Sequence, residues 1–282
     1  MDYPMILSPD QLMKFMHGAS MNNQYGIQLY MSLDKEKAQK LLPPPLKVAG
    51  TGMGFVYIVN IREPTFAPAY MEGGVGIMAE YNGIVGLHLL GLMLSGHGAL
   101  MGMCSGRELS GLPKKLCDRI RVERNGDNGH CFIERGGTRL IDVELKMGEY
   151  NAPPLMAQYA AREKSSRENP VDEDGSCLLF KYKMGGAGFA GMEMVNYDSP
   201  TRFFSWDPAF AKVTLASTED DPWASLPVTG VLGAGWMVSD NWVESQKTLH
   251  TYPDSEAGMI MAYLFSGRFD KCTLNLNHQI YE

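Results

Sequence analysis

Between Gly83 and Cys104 the chain carries no Asp, Glu, Lys or Arg. A stretch that long without charge has to be buried, either in a bilayer or in a core, and its length alone would let it span a bilayer as a helix. Six glycines (Gly83, Gly86, Gly91, Gly96, Gly98 and Gly102) and two histidines, His88 and His97, stand against that reading. Each glycine in a helix interior costs about 1 kcal/mol. Strands buried in a protein core accept the same glycines wherever backbones approach closely. The segment is therefore expected to form buried strands.

The rest of the chain agrees. Runs rich in β-branched and aromatic residues, bounded by turn residues, predict strands over Met53 to Ile61, Arg119 to Glu123, His130 to Glu134, Arg139 to Met147, Ser176 to Lys183, Met192 to Tyr197, Ala211 to Ser217, Thr229 to Val238 and Met259 to Phe265. Helices are few. Ser8-Pro9-Asp10-Gln11 has the form of a capping box followed by a short helix to His17. Asp34 caps a second helix through Leu42, which Pro43-Pro-Pro45 terminates, and a third is expected from Pro154 to Arg167. Many strands without regular βα alternation predict a mainly β fold of the α+β kind, an antiparallel sheet or closed barrel, rather than a parallel wound sheet. No linker or compositional break divides residues 1–282, so a single domain is expected.

A net charge of −7 with no basic run argues against nucleic acid or an anionic membrane as partner and for a small molecule. Cys104, Cys117, Cys131, Cys177 and Cys272 form an odd set without a C-x-x-C pair, which predicts reduced thiols in the cytoplasm and no structural zinc. The N-terminus shows no basic region followed by an apolar core, so no secretory signal is read. Gly186-Ala-Gly188-Phe-Ala-Gly191 has dinucleotide-binding spacing, but a strand pattern comes after it where the pyrophosphate-binding helix should start, so it reads as a hairpin loop. His88 and His97 lack a third partner for a metal, and no G-x-S-x-G elbow is present. Neither cofactor nor metal is expected.

Chemistry is expected instead at Gly106-Arg-Glu-Leu-Ser-Gly-Leu-Pro-Lys-Lys-Leu116, where two lysines follow a proline at the end of the uncharged segment. Burial disfavours an ammonium and favours a neutral amine able to attack a carbonyl. If the backbone is extended there, successive side chains point to opposite faces. One of Lys114 and Lys115 would then face the interior, and the other would be at least partly solvated.

This segment is similar to the signature of the acetoacetate decarboxylase family, in which the first lysine of the pair forms an imine with the substrate; that role falls on Lys114. Weaker agreement runs from Leu29 to His250, through Leu41-Leu-Pro-Pro-Pro-Leu46, Tyr70-Met-Glu72, Tyr81-Asn-Gly83, Ser199-Pro-Thr-Arg202 and Pro222-Trp-Ala-Ser-Leu-Pro-Val228. The resemblance implies a closed, cone-like antiparallel barrel with peripheral helices, assembled into homo-oligomers. It also implies that Glu72 is a buried acid facing the lysine, and that Arg107 either pairs with Glu108 or meets a substrate carboxylate. Two positions depart from the family pattern. Aligned on Leu41-Leu-Pro43, the family's early arginine falls near Asn23 or Gln24, and its first acidic residue falls near Tyr57. The resemblance thus implies a carbon–carbon lyase that decarboxylates acetoacetate or a related 3-oxo acid through an imine on Lys114, with Tyr57 and Gln24 tuning substrate choice and Lys115 beside it. A pyruvate aldolase-dehydratase and a non-catalytic small-molecule binder are the alternatives.

Overall fold

A computed structural model describes residues 6–16, 18–186 and 188–274. The first half holds β1 (Ser20–Leu33), β2 (Lys47–Val48), β3 (Met53–Pro64), β4 (Tyr70–Tyr81) and β5 (Ile84–Ser95). The signature contributes β6 (Lys114–Leu116), and a meander continues in β7 (Arg119–Asn125), β8 (Asn128–Arg135) and β9 (Thr138–Met147). The second half adds β10 (Val171–Glu173), β11 (Ser176–Gly185), β12 (Gly188–Asp198), β13 (Thr201–Leu215), β14 (Val228–Trp242) and β15 (Ser245–Tyr252). Around them lie α1 (Pro9–Met16), α2 (Lys35–Gln39), α3 (Ala99–Cys104), α4 (Pro153–Met156) and α5 (Asp254–Leu264).

The main hydrogen-bonded path runs β15-β12-β11-β5-β4-β3-β1-β14-β13-β9-β8-β7, almost wholly antiparallel. The mainly β expectation holds, but the closed barrel does not, because no hydrogen bonds among the described residues join β15 to β7. The edge strand β7 exposes Arg119, Arg121 and Glu123 in alternation with Ile120 and Val122, and charge along an edge discourages a further strand from pairing there.

Both faces of the central strands are covered. On β1, Ile27, Leu29 and Met31 enter one core cluster together with Val56, Ile58 and Val75. Tyr30 enters a second cluster with Val59, Leu89, Leu92 and Phe203. That division follows the two-residue alternation of strand side chains. Burial on both faces explains why β5 needs no charge between Ile84 and Ser95.

Two expected elements differ. Met259 to Phe265, read as a strand, belongs to the helix α5, where Ala257, Ile260 and Leu264 are buried while Met259 and Tyr263 are exposed. That is helical spacing, with Asp254 and Glu256 favouring the N-terminal turn. The helix expected from Pro154 to Arg167 breaks into α4 and two 3-10 turns, Ala157–Tyr159 and Arg162–Lys164. Tertiary contacts outweigh helix propensity there, since Tyr159 stacks on Tyr30 at 4.4 Å and Arg162 inserts beneath it. The capping box at α1 forms as read, with Ser8 N donating to Gln11 Oε1 at 2.8 Å and Gln11 N to Ser8 Oγ at 3.3 Å. Its expected end at His17 lies outside the described residues. The second helix is shorter than expected, ending at Gln39, with Asp34 accepting from Lys37 N at 3.1 Å. Gly186 and the residues from Gly188 to Gly191 belong to the β11–β12 hairpin, with Met184 opposite Phe189.

Candidate active site

After α3 the chain forms a π-helical turn over Ser105–Ser110, closed by Gly111 at φ +80°. A Cβ on Gly111 would lie 2.4 Å from the Phe180 carbonyl oxygen, so both backbone angle and space require glycine. Pro113 comes next, and Lys114 enters β6 alongside β5, with Leu92 as its parallel partner. The turn packs directly against the lysine: a Cβ on Gly106 would lie 2.7 Å from Lys114 Cδ and Cε and 2.9 Å from Nζ.

Lys114 is 2% exposed and faces an internal cavity of about 580 Å³. Its Nζ stands 2.6 Å from Glu72 Oε2, in charge contact more than in an aligned hydrogen bond. Glu72, also 2% exposed, sits on β4 and accepts through Oε1 a short hydrogen bond from the Tyr57 hydroxyl on β3. Burial and the neighbouring Glu72 charge push the Tyr57 phenol well above its ordinary pKa, which keeps it a neutral donor. Most of the remaining wall is apolar, including Phe55, Leu89, Leu92, Leu112 and Phe203. The arrangement joins a buried amine, a buried carboxylate in contact with it, and a phenol that orients the carboxylate.

The family model described as acetoacetate decarboxylase matches residues 2–253. The chain belongs to the acetoacetate decarboxylase family. It is 31% identical over 277 residues to a CLA biosynthesis isomerase of Lactiplantibacillus plantarum, covering 96% of each chain. It is 36% identical over 212 residues to an acetoacetate decarboxylase of Burkholderia vietnamiensis, covering 73% of this chain and 78% of the relative. Among solved structures, acetoacetate decarboxylase from Legionella pneumophila superposes with a TM-score of 0.67 at 16% identity, over 83% of this chain and 88% of that one.

The Lys114–Glu72 contact is the one the resemblance leads one to expect, and Tyr57 lines the cavity beside Glu72. The expected solvation of Lys115 is corrected. It points away from Lys114 but is only 4% exposed, its Nζ in contact with Asp221 and 3.1 Å from Asp270. Arg135 joins both carboxylates, at 2.7 Å from Asp221 and 2.6 Å from Asp270. Strand alternation does separate the two lysines, but the reverse face of β6 meets packed protein, and the carboxylates neutralise the charge there.

Arg107 and Glu108 pair with each other at 2.7 Å, and neither lines the cavity. Arg107 instead donates through Nη1 to the carbonyls of Arg268, at 3.0 Å, and Lys114, at 3.4 Å. Arg268 is fully enclosed and held by carbonyl oxygens, donating to Gly111 O at 2.6 Å, Phe180 O at 3.0 Å and Leu264 O at 3.3 Å. Burial pulls its pKa down to about 10. Together these arginines tie down the backbone around Lys114.

Gln24 lines the cavity, but its amide is turned back to donate to Met21 O at 3.1 Å. Asn23 faces away, toward Glu63 and Asp240. The β1 residue directly opposite Tyr57 is Gln28, and it lines the cavity with Tyr30, Tyr159, Arg162 and Glu173. Sequence reading missed this group. Its signal was the alternation Tyr25, Ile27, Leu29, Met31, Leu33, which marks a strand and places Gln28 and Tyr30 on the opposite face. No group of three or more His, Cys, Asp or Glu among the described residues could hold a metal ion. His88 is buried singly, its Nδ1 3.0 Å from Leu178 O. No helix among the described residues is long and apolar enough to cross a membrane.

Proposed function

We propose that this chain is an imine-forming enzyme in which Lys114 condenses with the ketone of an oxo acid and Glu72 carries the protons. The observation that carries this reading is the 2.6 Å contact between a lysine and a glutamate that are each 2% exposed, inside a cavity large enough for a substrate. Transfer of a proton from Nζ to Glu72 leaves both groups uncharged and the amine nucleophilic. The Nζ lone pair adds to the carbonyl carbon, Glu72 returns its proton to the departing hydroxyl so that water leaves, and the iminium that results is an electron sink.

The fate of the iminium depends on the substrate. With a 3-oxo acid the bond to the carboxylate breaks as carbon dioxide, its electron pair passes to the iminium nitrogen, and the enamine carbon takes a proton that Glu72 relays from water. Water then releases the ketone and restores the amine. Membership of the acetoacetate decarboxylase family supports this reading. A second reading is favoured by the isomerase relative that spans 96% of the chain and by the single carboxylate beside the lysine. Here Glu72 removes a proton next to the iminium of an unsaturated oxo acid and returns it farther along the conjugated enamine. The double bond moves, and no atom is lost.

Borohydride trapping with acetoacetate, followed by peptide mass spectrometry and product analysis, tests the proposal. A reduced adduct is expected on Lys114 and absent from Lys114→Ala. An adduct elsewhere, or none with any ketone tried, overturns it. Release of carbon dioxide supports the first fate, and a product of unchanged mass supports the second.

A further inference from the structure

The cavity has a second polar pole. Arg162 enters it from the 3-10 turn Arg162–Lys164, enclosed by Tyr159, Phe203 and Trp206 at 4.3, 4.4 and 4.7 Å from the ring centroids. It donates to both oxygens of Glu173, at 2.7 and 2.5 Å, so its charge is already neutralised. Its Nη1 donates to Gln28 Oε1 at 3.0 Å and to the Tyr30 hydroxyl at 2.8 Å, and that hydroxyl donates to the same Gln28 oxygen at 2.9 Å.

An arginine has only donors, so the Gln28 atom facing it must be the amide oxygen, and two donors occupy both of that oxygen's lone pairs. The amide nitrogen, with two N–H groups, is left pointing away from Arg162. No protein acceptor meets it among the described residues. Gln28 is thus a pre-oriented hydrogen-bond donor on the wall of the cavity that holds Lys114.

Its distance from the reactive amine is set by the sheet. Lys114, Leu92, Gly74, Tyr57 and Gln28 are successive partners across β6, β5, β4, β3 and β1. Lys114 Nζ meets Glu72 at the hydroxyl end of Tyr57, whereas Gln28 is the cross-strand neighbour of the Tyr57 backbone. Glu72, which Nζ contacts, lies on β4 and Gln28 lies on β1, two strands farther across the sheet, so at a strand spacing of roughly 4.8 Å their backbones stand about 10 Å apart. In a 2-oxo or 3-oxo acid the carboxylate is bonded to the ketone carbon or stands one carbon away, too close to reach Gln28 once an imine has formed.

We propose that Gln28, oriented by Arg162 and Tyr30, donates to a second oxygen of the substrate that lies several carbons from the ketone. This inference rests on the imine reading above and narrows it to oxo compounds with a remote oxygen acceptor, longer than acetoacetate. A cavity of about 580 Å³ lies within the range of roughly 300–1,000 Å³ that holds ligands of drug size. A carboxylate that remote cannot leave through the imine, so the contact accords with proton transfer along the chain rather than with decarboxylation.

The test compares three probes of equal chain length: a mid-chain oxo acid, its methyl ester, and the plain ketone without a second oxygen. Half-saturation of borohydride trapping is measured in wild type, Gln28→Leu and Gln28→Glu. Gln28→Glu keeps the shape and the bonds from Arg162 and Tyr30 but has no N–H. In wild type the acid or the ester is expected to saturate at about tenfold lower concentration than the ketone. In both variants that ratio is expected to fall to about one. If the acid alone gains, the acceptor is a carboxylate; if the ester gains equally, a neutral carbonyl oxygen suffices.

A ratio near one in wild type, or a ratio that survives in both variants, overturns the proposal. Calorimetric binding of the same probes to Lys114→Met reads the preference without an imine. Absence of trapping with the preference intact would therefore sink the imine reading alone, and trapping without the preference would sink the role of Gln28 alone.

Discussion

Lys114 and Glu72 are in direct charge contact, and each is only 2% exposed. Replacing Glu72 by Gln keeps shape and the hydrogen-bonding oxygen but removes the group that holds a proton. Glu72→Gln is expected to form a trappable adduct on Lys114 while turnover falls by roughly 10²–10⁴. Equal turnover in variant and wild type would exclude Glu72 as the proton carrier. At this scale the sequence was most legible for Lys114, because the signature around it must satisfy several close approaches at once. Lys115 was misjudged because alternation tells which face a side chain takes and not what packs there. Gln28 and Arg162 were invisible for a related reason: one lies on a strand that went unread, the other in a segment read as continuous helix.

The element that presents the lysine is short, three residues of β6, and is held in place from behind by the π-helical turn. Gly106 is where this support touches the amine's own side chain. Gly106→Ala places a methyl against the flexible end of Lys114, which can move aside more cheaply than backbone could. Stability is therefore expected to change little, while trapping slows by as much as about 10²-fold, the cost of displacing a reacting group by about 1 Å. Thermal unfolding together with the trapping rate checks this, and an unchanged rate would show that Lys114 does not depend on the turn for its position. Strands such as β3, β8 and β9 were legible as β-rich runs between turn residues, whereas β1 went unread despite its apolar face. The α5 segment was misread because a short apolar run fits either period, and only the exposure of Met259 and Tyr263 decides between them.

Across the whole molecule, the buried sheet carries a titratable group that its chemistry does not use. His88 on β5 is 4% exposed, and burial lowers its pKa to about 4 from 6.5. The unfolded chain therefore binds a proton between those values that the folded chain refuses, so this contribution to stability is complete above pH 6.5 and is lost as pH falls toward 4. Between about pH 7 and 5 the loss is about 2 kcal/mol. Unfolding free energies from urea titrations at the two pH values should differ by this amount more in wild type than in His88→Gln, and equal differences would show that His88 is not the group responsible. The mainly β architecture was legible from the charge-free segment. Closure was not, because whether two edges meet is decided by curvature and by charges such as those on β7.

The bracing of the lysine by Arg268 also sets an order of events during synthesis. The signature leaves the ribosome long before Arg268 and Asp270, whose side chains secure Gly111 and Lys115. Until those late residues arrive, the backbone leading into β6 lacks the bonds that hold it in the folded protein. The order of synthesis thus places the supports of this segment after the segment itself, and its geometry is complete only once Arg268 and Asp270 have docked.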